Sequence, residues 1–100
     1  MASRRREVVW ALHARQALDE ALTYIARNSP QNAGRIAERV IEQAESLATL
    51  SERGRVVPEV NNPMLRELLI DPFRLLYEVD EREVRIVGFL HQRQLFSPGR

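Results

Sequence analysis

Hydrophobic positions along the chain change their period twice, and the changes mark the elements. Glu7-Val8-Val9-Trp10-Ala11-Leu12 is short, rich in β-formers and followed at once by helical patterning, which predicts a first strand at an edge or end of a sheet. Over residues 13–28, Ala14, Leu18, Leu22 and Ile25 recur at steps of three and four, the stripe of an amphipathic helix. Ser29-Pro30 is a restart signal: Ser accepts from free amides of a new helix, and Pro at its first position loses no hydrogen bond. Ala33, Ile36, Ala37, Val40, Ile41, Ala44, Leu47 and Ala48 then hold the helical period to about Leu50, so two antiparallel helices form a hairpin. Residues 51–63 contain Gly54, Pro58, Asn61, Asn62 and Pro63 and predict an irregular surface connection. Three strands follow, over 64–71, 73–80 and 84–91, separated by Asp71-Pro72 and the charged turn Asp80-Glu81-Arg82-Glu83; they predict an antiparallel meander.

Pairing the last two strands across the charged turn sets Val79 opposite Val84, Tyr77 opposite Ile86, Leu75 opposite Gly88 and Phe73 opposite Leu90, an apolar face throughout. The other face then carries Arg74, Leu76 and Glu78 beside Arg85, Val87, Phe89 and His91, a mixed surface with a basic end where chemistry is expected. The register of 64–71 stays open, because a one-residue change at Asp71-Pro72 moves Arg66 to the opposite face. The order is β-α-α-β-β-β, an α+β architecture with two helices on one sheet face. One domain spans 1–100, with the basic stretch 1–6 expected to be flexible.

Composition removes several classes of chemistry. With 44% hydrophobic residues, 4 Gly and 5 Pro, the chain is globular. No cysteine is present, which excludes a disulfide framework, a thiolate nucleophile and a thiolate metal site. The apolar stretch 8–12 is too short for a signal-peptide core or a membrane span, so the expectation is a cytoplasmic protein without membrane contact. All 15 basic residues are Arg, a residue suited to phosphate and carboxylate, although genomic base bias explains the usage equally well. A net charge of +1 is small for a protein that grips nucleic acid. From Val84 onward, however, Arg85, Arg93 and Arg100 occur with no acidic residue, so an anionic partner would meet that end first. Asp19-Glu20 and Glu42 with Glu45 lie on solvated helix faces, and no Gly-rich phosphate loop, Ser nucleophile motif or His pair at metal spacing occurs. Neither a metal nor a cofactor is expected.

Ordered local motifs carry a resemblance. Ala17-Leu18-Asp19-Glu20-Ala21-Leu22-Thr23-Tyr24-Ile25-Ala26 and Asn32-Ala33-Gly34-Arg35-Ile36 are followed by Gly54-Arg55-Val56-Val57-Pro58-Glu59, Leu65-Arg66-Glu67-Leu68, Phe73-Arg74-Leu75-Leu76-Tyr77-Glu78-Val79 and Val84-Arg85-Ile86-Val87-Gly88-Phe89-Leu90-His91-Gln92-Arg93. Over nearly its whole length the chain resembles the RelE/ParE toxin superfamily of type II toxin-antitoxin systems. The resemblance implies a small curved antiparallel sheet with a helical hairpin on one side. It also implies growth inhibition, relieved by a cognate antitoxin that wraps the toxin in a hetero-oligomer.

Two branches of that superfamily imply different chemistry. Members resembling RelE cut messenger RNA on the ribosome without a metal, and so need a base, an acid and cations around the scissile phosphate. In such a site Arg74, His91, Arg93 and Arg66 are the candidates, His91 exchanging protons and the arginines stabilising charge on phosphorus. Each has an ordinary alternative: His91 as a strand-end histidine bonded to a neighbour, Arg74 and Arg66 paired with Glu78 or Glu67 across strands. Some RNA-cutting members carry an aromatic hydroxyl after the last strand; Phe96 stands there and cannot exchange a proton, while Tyr77 falls on the apolar face as a packing residue. Members resembling ParE poison DNA gyrase by a protein contact and need no catalytic constellation. Near-neutral charge, the missing terminal Tyr, the motif at 54–59 and Leu90-His91-Gln92-Arg93 place the chain nearer ParE. The expectation is therefore a ParE-like gyrase poison. Its alternatives are a RelE-like, ribosome-dependent, metal-independent mRNA endonuclease and a non-toxic protein-binding domain of the same fold. The antitoxin is expected to add a strand to an open sheet edge and lay an amphipathic helix across apolar surface.

Overall fold

The computed structural model describes residues 5–96. Strand β1 (Glu7–Trp10) leads into helices α1 (Leu12–Ala26) and α2 (Pro30–Ser46), followed by β2 (Arg55–Val56), β3 (Leu65–Ile70), β4 (Phe73–Val79) and β5 (Glu83–His91). The five strands form one open sheet in the order β1-β5-β4-β3-β2. Helix α2 begins as its sequence predicts, with Ser29 extended and its side chain accepting from the Asn32 amide while Pro30 opens the helix. The α+β class and the helical hairpin agree with the patterning.

The last three strands form the expected antiparallel meander, and β1 adds to it in parallel, which makes the sheet mixed. β1 pairs β5 in parallel, with Val8 opposite Val84 and Trp10 opposite Ile86. The helices carry the chain out and back to the start of β1, where the Arg6 amide donates to the Ala48 carbonyl, and the antiparallel steps β2 to β3, β3 to β4 and β4 to β5 then leave β5 running along β1. The supposed irregular connection also contributes β2, whose Arg55 and Val56 pair Glu67 and Arg66. A two-residue strand is too short to produce an alternation.

A bulge decides which residues share a face. Val79–Val84 and Tyr77–Ile86 pair as the alternation predicts, but Leu76 then pairs Gly88, so β5 holds one extra residue, Val87. Beyond it the expected pairs Leu75–Gly88 and Phe73–Leu90 give way to Leu75–Phe89, Arg74–Leu90 and Phe73–His91. The bulge turns Phe89 and His91 towards the helices and Leu90 away from them. Out of the strand ladder, the Val87 carbonyl accepts from His13 Nε2 on α1 at 2.6 Å.

The main core lies between the helices and the sheet. Ala14, Leu18, Ile36, Val40, Ala44 and Leu47 meet Leu68, Ile70, Phe73, Leu75, Tyr77, Ile86 and Phe89. A smaller cluster, Val57, Leu65 and Leu76 with Val60, Val87, Leu90 and Phe96 against it, covers the opposite sheet face. The expectation of a flexible stretch 1–6 falls, for residues 1–4, outside the described residues; Arg6 bonds the Ala48 carbonyl through its amide and the Asp80 carbonyl through Nε.

Candidate functional site

Arg74 lies near the start of β4 on the face away from the helices, and it is buried. Its Nε donates to Glu67 Oε1 at 2.7 Å, and its two terminal nitrogens grip Glu59 in a bidentate pair at 2.8 and 2.9 Å. A fourth bond runs from NH1 to the Gln94 carbonyl at 2.6 Å. Glu67, itself buried, also receives Arg55 Nε at 2.5 Å. Four alternating charges thus join three strands, the 57–63 loop and the segment after β5. The hydrogen bond from Arg74, aided by one from the Phe96 amide, holds the Glu59 carboxyl at a pKa of about 2. The same pairing pushes the Arg74 pKa upward. A guanidinium neutralised on two sides by carboxylates has little left to offer a phosphate.

The structure brings Arg74 and Arg93 to one groove and sets His91 and Arg66 on the other sheet face. His91 stands on the helix-facing side, its ring edge-on to Phe73 with centroids 6.1 Å apart. Its Nδ1 accepts from the Arg93 amide at 3.2 Å, a strand-end bond to a neighbour. Sequence alternation had set His91 beside Arg74; the Val87 bulge puts them on opposite faces. Arg66 pairs Tyr77, which resolves the open register of β3, and its NH1 donates to the carbonyls of Gly54 and Glu52 rather than to a carboxylate. Arg93 is exposed in the turn after β5. Tyr77 is fully buried as expected, and its hydroxyl accepts from the Gly54 amide at 2.9 Å. Phe96 packs on the smaller apolar cluster.

Two of the open grooves among the described residues bear on the site. A groove of about 620 Å³ runs between the helices and the ends of β4 and β5, lined by Ala17, Ala21, Tyr24, Phe73, Phe89 and His91. A second, of about 540 Å³, lies where Leu69 and Leu95 sit beside Arg55 and Arg93. Leu95 and Leu69 are 78% and 55% exposed, an apolar pair that the fold leaves uncovered and the cations flank. Sequence reasoning missed Glu59 and Gln94 as partners of Arg74. A loop glutamate has no period to betray it, and a backbone carbonyl carries no sequence signature. Among the described residues no group of three or more His, Cys, Asp or Glu could hold a metal, and no helix is long and apolar enough to cross a membrane.

This chain matches, over residues 8–96, the family model of the ParE toxin of type II toxin-antitoxin systems, parDE. It belongs to the ParE toxin family and is, with that family, the toxin of a type II toxin-antitoxin system. Similar proteins include Toxin RelE2 of Caulobacter vibrioides, 37% identical over 90 residues that cover 89% of this chain and 98% of the relative. Y4kP of Sinorhizobium fredii is 27% identical over 92 residues, covering 90% of this chain and 92% of that protein. Among solved structures, the chromosomal ParDE TA system from P. aeruginosa superposes with a TM-score of 0.71 at 23% identity, covering 89% of this chain and 98% of that one, a likeness in fold.

Proposed function

We propose that this toxin inhibits growth by a protein contact with DNA gyrase rather than by cutting RNA, and that a cognate antitoxin neutralises it. The observation that carries this reading is the placement of Arg74. It is buried, bound to Glu59 and Glu67, and on the opposite sheet face from His91. Metal-independent RNA cleavage needs a proton-exchanging group and cations converging on one phosphate; Arg74 and Arg93 line one groove, but Arg74 is held by two carboxylates and His91 stands on the opposite sheet face from it. A protein contact needs exposed apolar groups ringed by polar ones, and Leu95 with Leu69, between Arg55 and Arg93, has that make-up. This end of the molecule is the target-facing surface in our reading. The antitoxin takes the helix-lined groove, where the 68% exposed Tyr24 offers an apolar anchor. It also takes the outer side of β5 beyond Ile86, to which no described strand pairs.

The name Toxin RelE2 on a 37% identical relative favours a second reading, ribosome-dependent mRNA cleavage, in which His91 and Arg93 would act. Inducible expression, with translation and plasmid supercoiling followed in parallel within minutes, separates the two. Loss of supercoiling before translation supports the gyrase contact. Arrested translation with cut mRNA and intact supercoiling overturns it, and unimpaired growth leaves a non-toxic binding domain.

A further inference from the structure

Residues 92–96 do not hang free from the sheet. The Gln92 amide donates to the Pro72 carbonyl, the Gln94 carbonyl accepts from Arg74, and the Gln94 side chain accepts from the His91 amide. The Phe96 amide donates to Glu59 Oε2, the oxygen that also receives Arg74 NH1. Phe96 itself covers Val57, Leu65 and Leu76 on the sheet face that has no helix. Without this segment that small cluster would face water at one side. Two of the tethers converge on one buried arginine and one loop carboxylate. Arg93 stands between the tethers at Gln92 and Gln94, and Leu95 between those at Gln94 and Phe96; both side chains are exposed.

We propose that Glu59 and Arg74 form a clamp that holds residues 92–96 as a strap across the helix-free face of the sheet. They thereby act as positioning residues for toxicity, fixing where Arg93 and Leu95 stand. The second half of this inference rests on the reading above that this end faces the target. Geometry favours a clamp over an ordinary ion pair. Glu59 uses both oxygens on Arg74 and one of them again on the strap, so the carboxylate cannot leave without releasing guanidinium and strap together. Glu67 keeps Arg74 in place from the sheet side through Nε, leaving the other edge of the fork aimed outward at the loop and strap.

The test uses the purified full-length toxin as Glu59→Gln, Glu59→Asp and the double variant Arg93→Ala with Leu95→Ala. It reads residue-resolved amide hydrogen exchange beside growth inhibition on induction. Glu59→Gln is expected to speed exchange at Phe96 by about tenfold or more while Tyr77 and Ile86, inside the sheet, are unchanged. Growth inhibition falls with it, and Glu59→Asp, which keeps the charge, recovers part of both effects. Unchanged exchange at Phe96, or an equal rise at Tyr77 and Ile86, overturns the clamp. Faster strap exchange with full growth inhibition overturns the positioning role. The Arg93 and Leu95 double variant is expected to lose growth inhibition with strap exchange intact. If it remains fully toxic, the premise that this end faces the target fails and takes the positioning role with it, whereas a wrong choice of target shows only in the supercoiling readout.

Discussion

Replacing Gly54 by alanine probes the junction where loop, sheet and Tyr77 meet. An alanine Cβ would stand 2.5 Å from the Glu67 carbonyl oxygen and 2.6 Å from the Tyr77 hydroxyl, both far inside van der Waals contact. Space, not backbone conformation, is what reserves the position for glycine. The carbonyl belongs to a strand paired on both sides, and the hydroxyl can retreat only by giving up the bond it accepts from the Gly54 amide. Overpacking of this kind costs about 1–3 kcal/mol, and weakening a buried hydrogen bond adds about 1 kcal/mol. Gly54→Ala is therefore expected to lose about 2–4 kcal/mol, a fall in Tm of roughly 10–25 °C for a domain of this size. Tyr77→Phe leaves the Gly54 amide without its partner and should cost about 1–3 kcal/mol. In the double variant one of the two collisions is gone, so the losses should sum to less than additive, yet the Glu67 carbonyl still blocks full rescue. Urea denaturation followed by the fluorescence of Trp10, half-buried in β1, gives all four corners of the cycle. A Gly54→Ala protein within about 0.5 kcal/mol of the parent, or full rescue by Tyr77→Phe, would refute the reasoning.

Other expectations follow from the same structure. Gly34 lies within α2 with nothing within 4 Å of an added Cβ; Gly34→Ala should stabilise by about 0.5–1 kcal/mol in the same urea assay. Glu59 titrates near 2 in the fold, below the value of about 4.3 for a free glutamate. The stability it contributes is therefore complete above about pH 4.5 and lost as pH falls towards 2. Between those limits the parent's Tm should drop more steeply with acid than that of Glu59→Gln. Arg74→Ala leaves Glu59 and the buried Glu67 short of their cation and should cost about 3–5 kcal/mol, read by thermal melting. His91→Ala should leave growth inhibition intact on induction, since His91 shares no face with Arg74; loss of toxicity with normal folding would speak for the endonuclease.

The sequence makes the elements legible wherever a periodicity meets one buried face. Of the stripe predicted for the second helix, Ala33, Ile36, Val40, Ala44, Leu47 and Ala48 are buried while Ile41 is exposed, and the turn at 80–83 sets the first pairs of the last hairpin correctly. Legibility ends at Ile86-Val87-Gly88-Phe89-Leu90, because both sides of β5 are covered there, by α1 on one and by the small cluster with Phe96 on the other. A strand apolar on both faces has no alternation to fix its register, so nothing in it announces the extra residue. That single bulge puts His91 and Arg74 on opposite faces, where the alternation had set them side by side. The Arg74–Glu67 pairing was legible as one cross-strand alternative. Glu59 was not, because its role depends on how an irregular loop folds back over the sheet.

Purified toxin added to DNA gyrase in a supercoiling assay, beside the same toxin added to ribosomes translating a defined message, tests the central claim most directly. Gyrase is expected to lose supercoiling activity in proportion to toxin and to regain it with antitoxin, while the message stays whole. Cleaved message with unimpaired gyrase would contradict it, and would return His91 and Arg93 to a catalytic role.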